Sequence, residues 1–267
     1  MKELDLIFFG GQSNMQGQTE TRLPCPSDPD ALEYRFLTDR FLPASDPVGE
    51  DIRPDYREGY PFTEETDCLT WLKDHLTGSS CYGNTNMVPS FLRAYRNRTG
   101  TPAAAVHIAK GSTVIADWLP GTPGFDVLIK KGTAAIRKAE KSFSVRHRYF
   151  VWLQGESDAI AATPGKVYAD RLRSLGESLR RSLGIGVFGI IRVGRFVGDE
   201  RDDAIMNAQT DVCRTEAPYF RLLTDRTAEL NSDPVFMNPF VQGHFSARGQ
   251  ELLGFLAGDA LGCIALE

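Results

Sequence analysis

Five short apolar runs punctuate this chain, and most of the segments between them repeat their apolar residues every three or four positions. The runs are Leu4 to Phe9, Ala103 to Ile108, Tyr149 to Leu153, Val187 to Val193 and Phe220 to Leu223. Such runs, with little polar alternation, suit strands covered on both faces. Val88 to Arg98 reads as a helix, and Phe125, Leu128, Ile129, Gly132, Ala135, Ile136 and Ala139 mark a second, amphipathic one. Tyr168, Leu172, Leu175, Leu179 and Leu183 mark a third, with Pro164 near its start. Asp202 to Arg214 forms a fourth, and Leu252 to Leu261 lines the last. Strands alternating with helices restrict the chain to right-handed crossovers and a parallel sheet with helices on both faces.

With 267 residues the chain has room for a sizeable core. We read it as one α/β domain, 1–267, carrying an irregular insertion at about 19–86. That stretch is rich in Pro, Asp, Arg, Tyr and Thr and lacks sustained periodicity. Its aromatics, among them Tyr34, Phe41, Tyr60 and Trp71, argue for an ordered segment that walls a pocket.

A net charge of -5 without a long basic run argues against nucleic acid as a partner. Lys130, Lys131, Arg137, Lys138 and Lys141 read as the solvated face of one helix. Cysteines stand at 25, 68, 81, 213 and 263, with no spacing that suggests a zinc site or a disulfide framework. Cys68 and Cys81 are the one pair a bridge would suit, and free thiols are the simpler reading. No metal or organic cofactor is expected. No apolar run approaches the roughly 20 residues of a membrane-spanning helix. The first strand begins without a leader before it, so the sequence reads as cytoplasmic, with no membrane partner.

The chemistry collects where the strands end, which in open α/β sheets is the edge that binds ligands. Gly10-Gly11-Gln12-Ser13-Asn14-Met15 follows the first run, and Ala109-Lys110-Gly111-Ser112-Thr113 follows the second. Gln154-Gly155-Glu156-Ser157-Asp158 follows the third, and Gly243-His244-Phe245-Ser246 precedes the last helix. A serine, glycine amides, a carboxamide, a carboxylate and an imidazole converging on one edge are the parts of a serine esterase. Ser13 is the candidate nucleophile. His244 is its candidate base, since an unperturbed imidazole titrates near neutrality. The amides of Ser13 and Gly111 and the carboxamide of Gln154 are candidate donors to the developing oxyanion. Each residue has a plainer role open to it. Ser13-x-x-Gln16 fits a helix capping box, Gly111 suits a turn, Gln154 to Glu156 suits a polar loop, and His244 suits the start of a helix. His75, His107 and His147 have weaker claims, His107 because it lies inside a strand.

Gly11-Gln12-Ser13-Asn14-Met15 resembles the first block of SGNH-type hydrolases, in the branch of carbohydrate esterase family 6 and the sialate O-acetylesterases. Lys110-Gly111-Ser112 with Trp118 resembles the second block. Trp152-Leu153-Gln154-Gly155-Glu156-Ser157-Asp158 resembles the third, with Gln in place of the oxyanion-hole Asn. His244-Phe245-Ser246-Ala247 with Gly249 resembles the last. The resemblance spans nearly the whole chain. It implies a flavodoxin-like three-layer sandwich on a five-stranded parallel sheet, and removal of O-acetyl groups from a sugar or glycan through an acyl-serine. Gln12, Asn14 and Ser112, also in these blocks, are read as substrate-binding. One position departs from the pattern: the aspartate expected three residues before the histidine is Val241, which cannot accept an imidazole N–H. Glu156 is the chosen replacement, and Asp158, Asp233, the Gln242 side chain, a backbone carbonyl or a Ser13–His244 dyad are the alternatives. An esterase for small non-carbohydrate esters and an inactive glycan-binding relative are the competing functions.

Overall fold

The computed structural model describes residues 1–36, 38–46, 48–49 and 84–267. Its strands are β1 (Lys2–Gly11), β2 (Ala31–Arg35), β3 (Arg40–Pro43), β4 (Ala103–Ala109), β5 (Phe143–Leu153), β6 (Val187–Ile191) and β7 (Phe220–Thr224). They form one sheet in the order β3-β2-β4-β1-β5-β6-β7. Every pairing is parallel except that of β2 with β3. The five expected strands are β1, β4, β5, β6 and β7. Among themselves they run second, first, third, fourth, fifth, the flavodoxin-like order.

The helices are α1 (Ser13–Gln16), α2 (Met87–Thr99), α3 (Pro123–Ser142), α4 (Glu156–Ile160), α5 (Gly165–Leu183), α6 (Glu200–Thr215), α7 (Thr227–Leu230) and α8 (Ala247–Ala265). β1 shows how the layers form. Leu4, Leu6 and Phe8 face a core built with Leu128, Ala135, Leu172 and Leu175 of α3 and α5. Ile7 and Phe9 point the other way, into a core with Phe91, Leu92, Leu253 and Ala257 of α2 and α8. Alternate side chains on opposite faces thus hold a helix layer on each side. None of the described helices is long and apolar enough to cross a membrane.

Among the described residues the sheet has seven strands rather than the expected five, and the two additional ones lie inside the stretch read as irregular. β2 hid because its charges are internal. Glu33 and Arg35 are both buried and pair at 3.2 Å, and Glu33 Oε1 accepts from the Gly49 amide at 2.8 Å. β3 is a short, largely exposed edge strand ending in Pro43, as edges tolerate. The limbs of this stretch are tied together: Thr19 Oγ1 donates to Thr85 O at 3.0 Å, and Leu23 N donates to Thr85 Oγ1 at 2.7 Å. The rest of the expected insertion, with Trp71, Cys68, His75 and Cys81, lies outside the described residues. Cys25, Cys213 and Cys263 are free thiols.

Lys131 corrects a second expectation. It is buried rather than solvated, and its Nζ donates to the carbonyl of His107 at 2.8 Å.

Two strand ends meet where the chain leaves β1. Gly11 has a φ of +146°, and a Cβ there would lie 2.0 Å from the carbonyl oxygen of Leu153 at the end of β5. Only glycine permits that approach. Gln12 N then donates to Leu153 O at 3.1 Å, and the chain turns into α1.

Candidate active site

Ser13 is the first residue of α1, a four-residue helix, with Gln12 at its N-cap position. Its amide therefore has no partner within the helix. The capping box is not formed, because the Gln16 side chain turns instead to Gly111, whose amide donates to Gln16 Oε1 at 3.0 Å. Gly111 nonetheless stands beside the serine: a Cβ on it would lie 3.4 Å from Ser13 Cβ. Ser112 is exposed next to it, at a φ of +60°.

His244 sits in a short loop closed by two contacts, Met237 bridging to Phe245 and Asn238 N donating to His244 O at 2.8 Å. Its Nδ1 lies 2.9 Å from the carbonyl oxygen of Gln242. A carbonyl only accepts, so Nδ1 carries the proton and Nε2 keeps its lone pair. That Nε2 is buried and has no hydrogen-bond partner. Burial lowers the pKa of the ring, partly offset by the carbonyls of Gln242 and Val241. Phe196 stands edge-on to the imidazole, with ring centroids 6.4 Å apart at 84°.

Asn14 joins the serine turn to this loop. Its Nδ2 donates to Gly243 O at 3.2 Å and to Glu156 Oε1 at 2.7 Å, and its Oδ1 accepts from Phe245 N at 3.1 Å. The residue after Ser13 thus grips both neighbours of His244. Here the choice of Glu156 as the group that orients His244 is corrected. Glu156 is buried, accepts from Asn14 rather than from the imidazole, and its Oε2 has no partner. Of the alternatives, a backbone carbonyl holds the ring. Asp158 is buried in another network, and Asp233 caps the short turn Pro234–Phe236 by accepting from Val235 N.

Gln154 is also reassigned. Its Nε2 donates to Asp158 Oδ2 at 2.7 Å and to Thr113 O at 3.0 Å, and lies 3.2 Å from Gln12 Oε1. Two N–H bonds among three acceptors leave none for an oxyanion. Tyr168 and Gln209 complete the network by donating to Gln154 O at 2.8 and 2.7 Å. Gln12, read as substrate-binding, is buried and accepts from Ser157 N at 3.1 Å, at the start of α4. Asn14 is buried likewise. Both act as braces under the site.

The family profile described as carbohydrate esterase, sialic acid-specific acetylesterase matches residues 3–261. The chain belongs to that family. This makes it a carbohydrate O-acetylesterase. No curated protein matches it in sequence. Solved structures share its fold, among them the following three. NanS is 14% identical, with a TM-score of 0.68 over 100% of this chain and 99% of its own. A protein of Arabidopsis thaliana is 19% identical, with a TM-score of 0.67 over 96% and 98%. A carbohydrate acetylesterase from Xanthomonas citri is 16% identical, with a TM-score of 0.52 over 97% of this chain and 56% of that one.

In this acetylesterase, sequence reading overlooked the residues that set the site from outside its motifs. Phe196 and Asn238 carry no local signal. The buried His107 donates from Nε2 to Met15 O, 2.9 Å away, and so supports α1 from β4. That ring is neutral, since burial takes its pKa down to about 3. A mostly apolar cavity of about 290 Å³, walled by Ile108, Trp118 and Val127, reaches Lys110 and Thr113 on either side of Gly111-Ser112. Among the described residues, no three His, Cys, Asp or Glu side chains are placed to hold a metal ion.

Proposed function

We propose that this acetylesterase removes O-acetyl groups from a sugar through an acyl-serine on Ser13, with His244 as base and without an acidic third member. The observation that carries this is the state of the imidazole. Its Nδ1 is fixed on a carbonyl and its Nε2 is buried and unpartnered, on a loop gripped by the residue after Ser13.

Ser13 Oγ attacks the acetyl carbonyl carbon while its proton passes to His244 Nε2. The Ser13 amide meets the oxyanion. The Gly111 amide joins it once Gln16 Oε1 gives way. The bond between the acyl carbon and the sugar oxygen then breaks, and Nε2–H returns the proton to the departing sugar oxygen. Water next gives a proton to Nε2 and adds to the acyl carbon. As this second intermediate collapses, the bond between the acyl carbon and Ser13 Oγ breaks and Nε2–H returns its proton to Oγ, freeing acetic acid and restoring Ser13 and the neutral ring. Gln242 O accepts from Nδ1–H throughout, but as a neutral carbonyl it stabilises the imidazolium less than a carboxylate does.

Ser13→Ala is expected to lose on the order of 10⁶ in turnover of acetyl esters. A fluorophosphonate should label the parent protein at Ser13 alone. Turnover retained by the variant, or a label elsewhere, overturns the mechanism.

A further inference from the structure

The His244 loop carries an aromatic residue that the proposed reaction does not use. Phe240 is 75% exposed, the highest value among the exposed aromatic rings of the described residues. A single exposed phenylalanine is unremarkable. This one is on the loop of the catalytic base and is tied to it through one buried residue, Asn238. Asn238 Oδ1 accepts from Phe240 N at 2.9 Å and from Val241 N at 3.3 Å, its Nδ2 donates to Gln18 O at 2.7 Å, and its backbone N donates to His244 O at 2.8 Å. The backbone of Phe240 and that of His244 therefore share one anchor.

The chemistry says what lies beside this loop. His244 must hand its proton to the leaving oxygen, so the sugar, not the acetyl group, sits against residues 238–244. One face of many pyranose rings is a patch of C–H bonds, apolar and weakly positive, which suits the negative face of an aromatic ring. We propose that Phe240 is the platform of a leaving-group subsite that takes a pyranose ring by its C–H face. This rests on the acyl-serine reading above.

The test compares Phe240→Ala and Phe240→Trp with the parent on mono-O-acetylated xylo-oligosaccharides, 9-O-acetyl-N-acetylneuraminic acid and ethyl acetate. For the sugar ester the parent turns over best, Phe240→Ala is expected to lower kcat/KM relative to ethyl acetate roughly three- to tenfold, through KM. Phe240→Trp restores the ratio. Titration of the same sugar ester into Ser13→Ala and Ser13→Ala/Phe240→Ala should show Kd rising by a similar factor. That arm reads the subsite even if the acyl-serine mechanism fails. An equal loss on sugar ester and ethyl acetate overturns the subsite, as does an unchanged Kd. A change confined to oligomeric state also overturns it, making Phe240 a contact between copies.

Discussion

On the reading proposed above, a neutral imidazole is the working form of His244, and its surroundings extend that form toward acid. Burial is the larger influence and lowers the pKa, while the carbonyls of Gln242 and Val241 pull it back in part. A protonated ring cannot accept the Ser13 proton, so activity is lost as pH falls through the pKa of the folded state. The acidic limb of kcat/KM should therefore lie below the ordinary histidine value of 6.5. A pH–rate profile measures it, and a midpoint at or above that value would contradict the assigned environment. The places of Ser13 and His244 were legible in the sequence because each stands in a distinctive block, one beside a strand end and the other before a helix start. The duties of Gln154 and Glu156 were not. They follow from which partner lies nearest, Asp158 in one case and Asn14 in the other, and no local pattern encodes that choice.

Between elements, Asn14 ties α1 to the histidine loop, and Glu156 at the start of α4 supports Asn14. Asn14→Ala removes every one of these side-chain bonds. It should lower kcat by about 10², the scale of a misplacement near 1 Å. Glu156 should behave differently from an acid that charges the imidazole. Burial raises its pKa, with Asn14 opposing and Asp202 adding to the rise. A carboxyl whose folded pKa exceeds its unfolded value of 4.5 destabilises the protein as pH climbs past that value. Glu156→Gln keeps an acceptor for Asn14 and removes that cost. Its Tm at pH 8 should equal or exceed the parent's, with the difference closing toward pH 4, and most of the turnover should remain. A large loss of kcat with unchanged Tm would restore Glu156 to a direct role. The strands show the same division in legibility. β1, β4, β5, β6 and β7 announce themselves by apolar runs, whereas β2 is concealed by a buried Glu33–Arg35 pair that reads as solvated until its partner is known.

Across the whole molecule, the site depends on contacts that are distant in sequence. Asn14 and Phe245 are 231 positions apart, and Gln250 of α8 donates to Asn14 O at 2.7 Å. The histidine loop itself is held by a few hydrogen bonds around a half-buried ring, the kind of segment that opens before a core does. Hydrolysis of ethyl acetate should therefore fail at a lower urea concentration than the loss of far-UV circular dichroism. Coincident midpoints would mean that the loop is as stable as the sheet. The same separation bears on how the protein is made. The serine turn leaves the ribosome more than two hundred residues ahead of the histidine loop and of the helix that steadies Asn14. On the reading proposed above, the growing chain carries Ser13 without its base until residue 244 has emerged, so esterase activity can begin only after the rest of the sheet has been made.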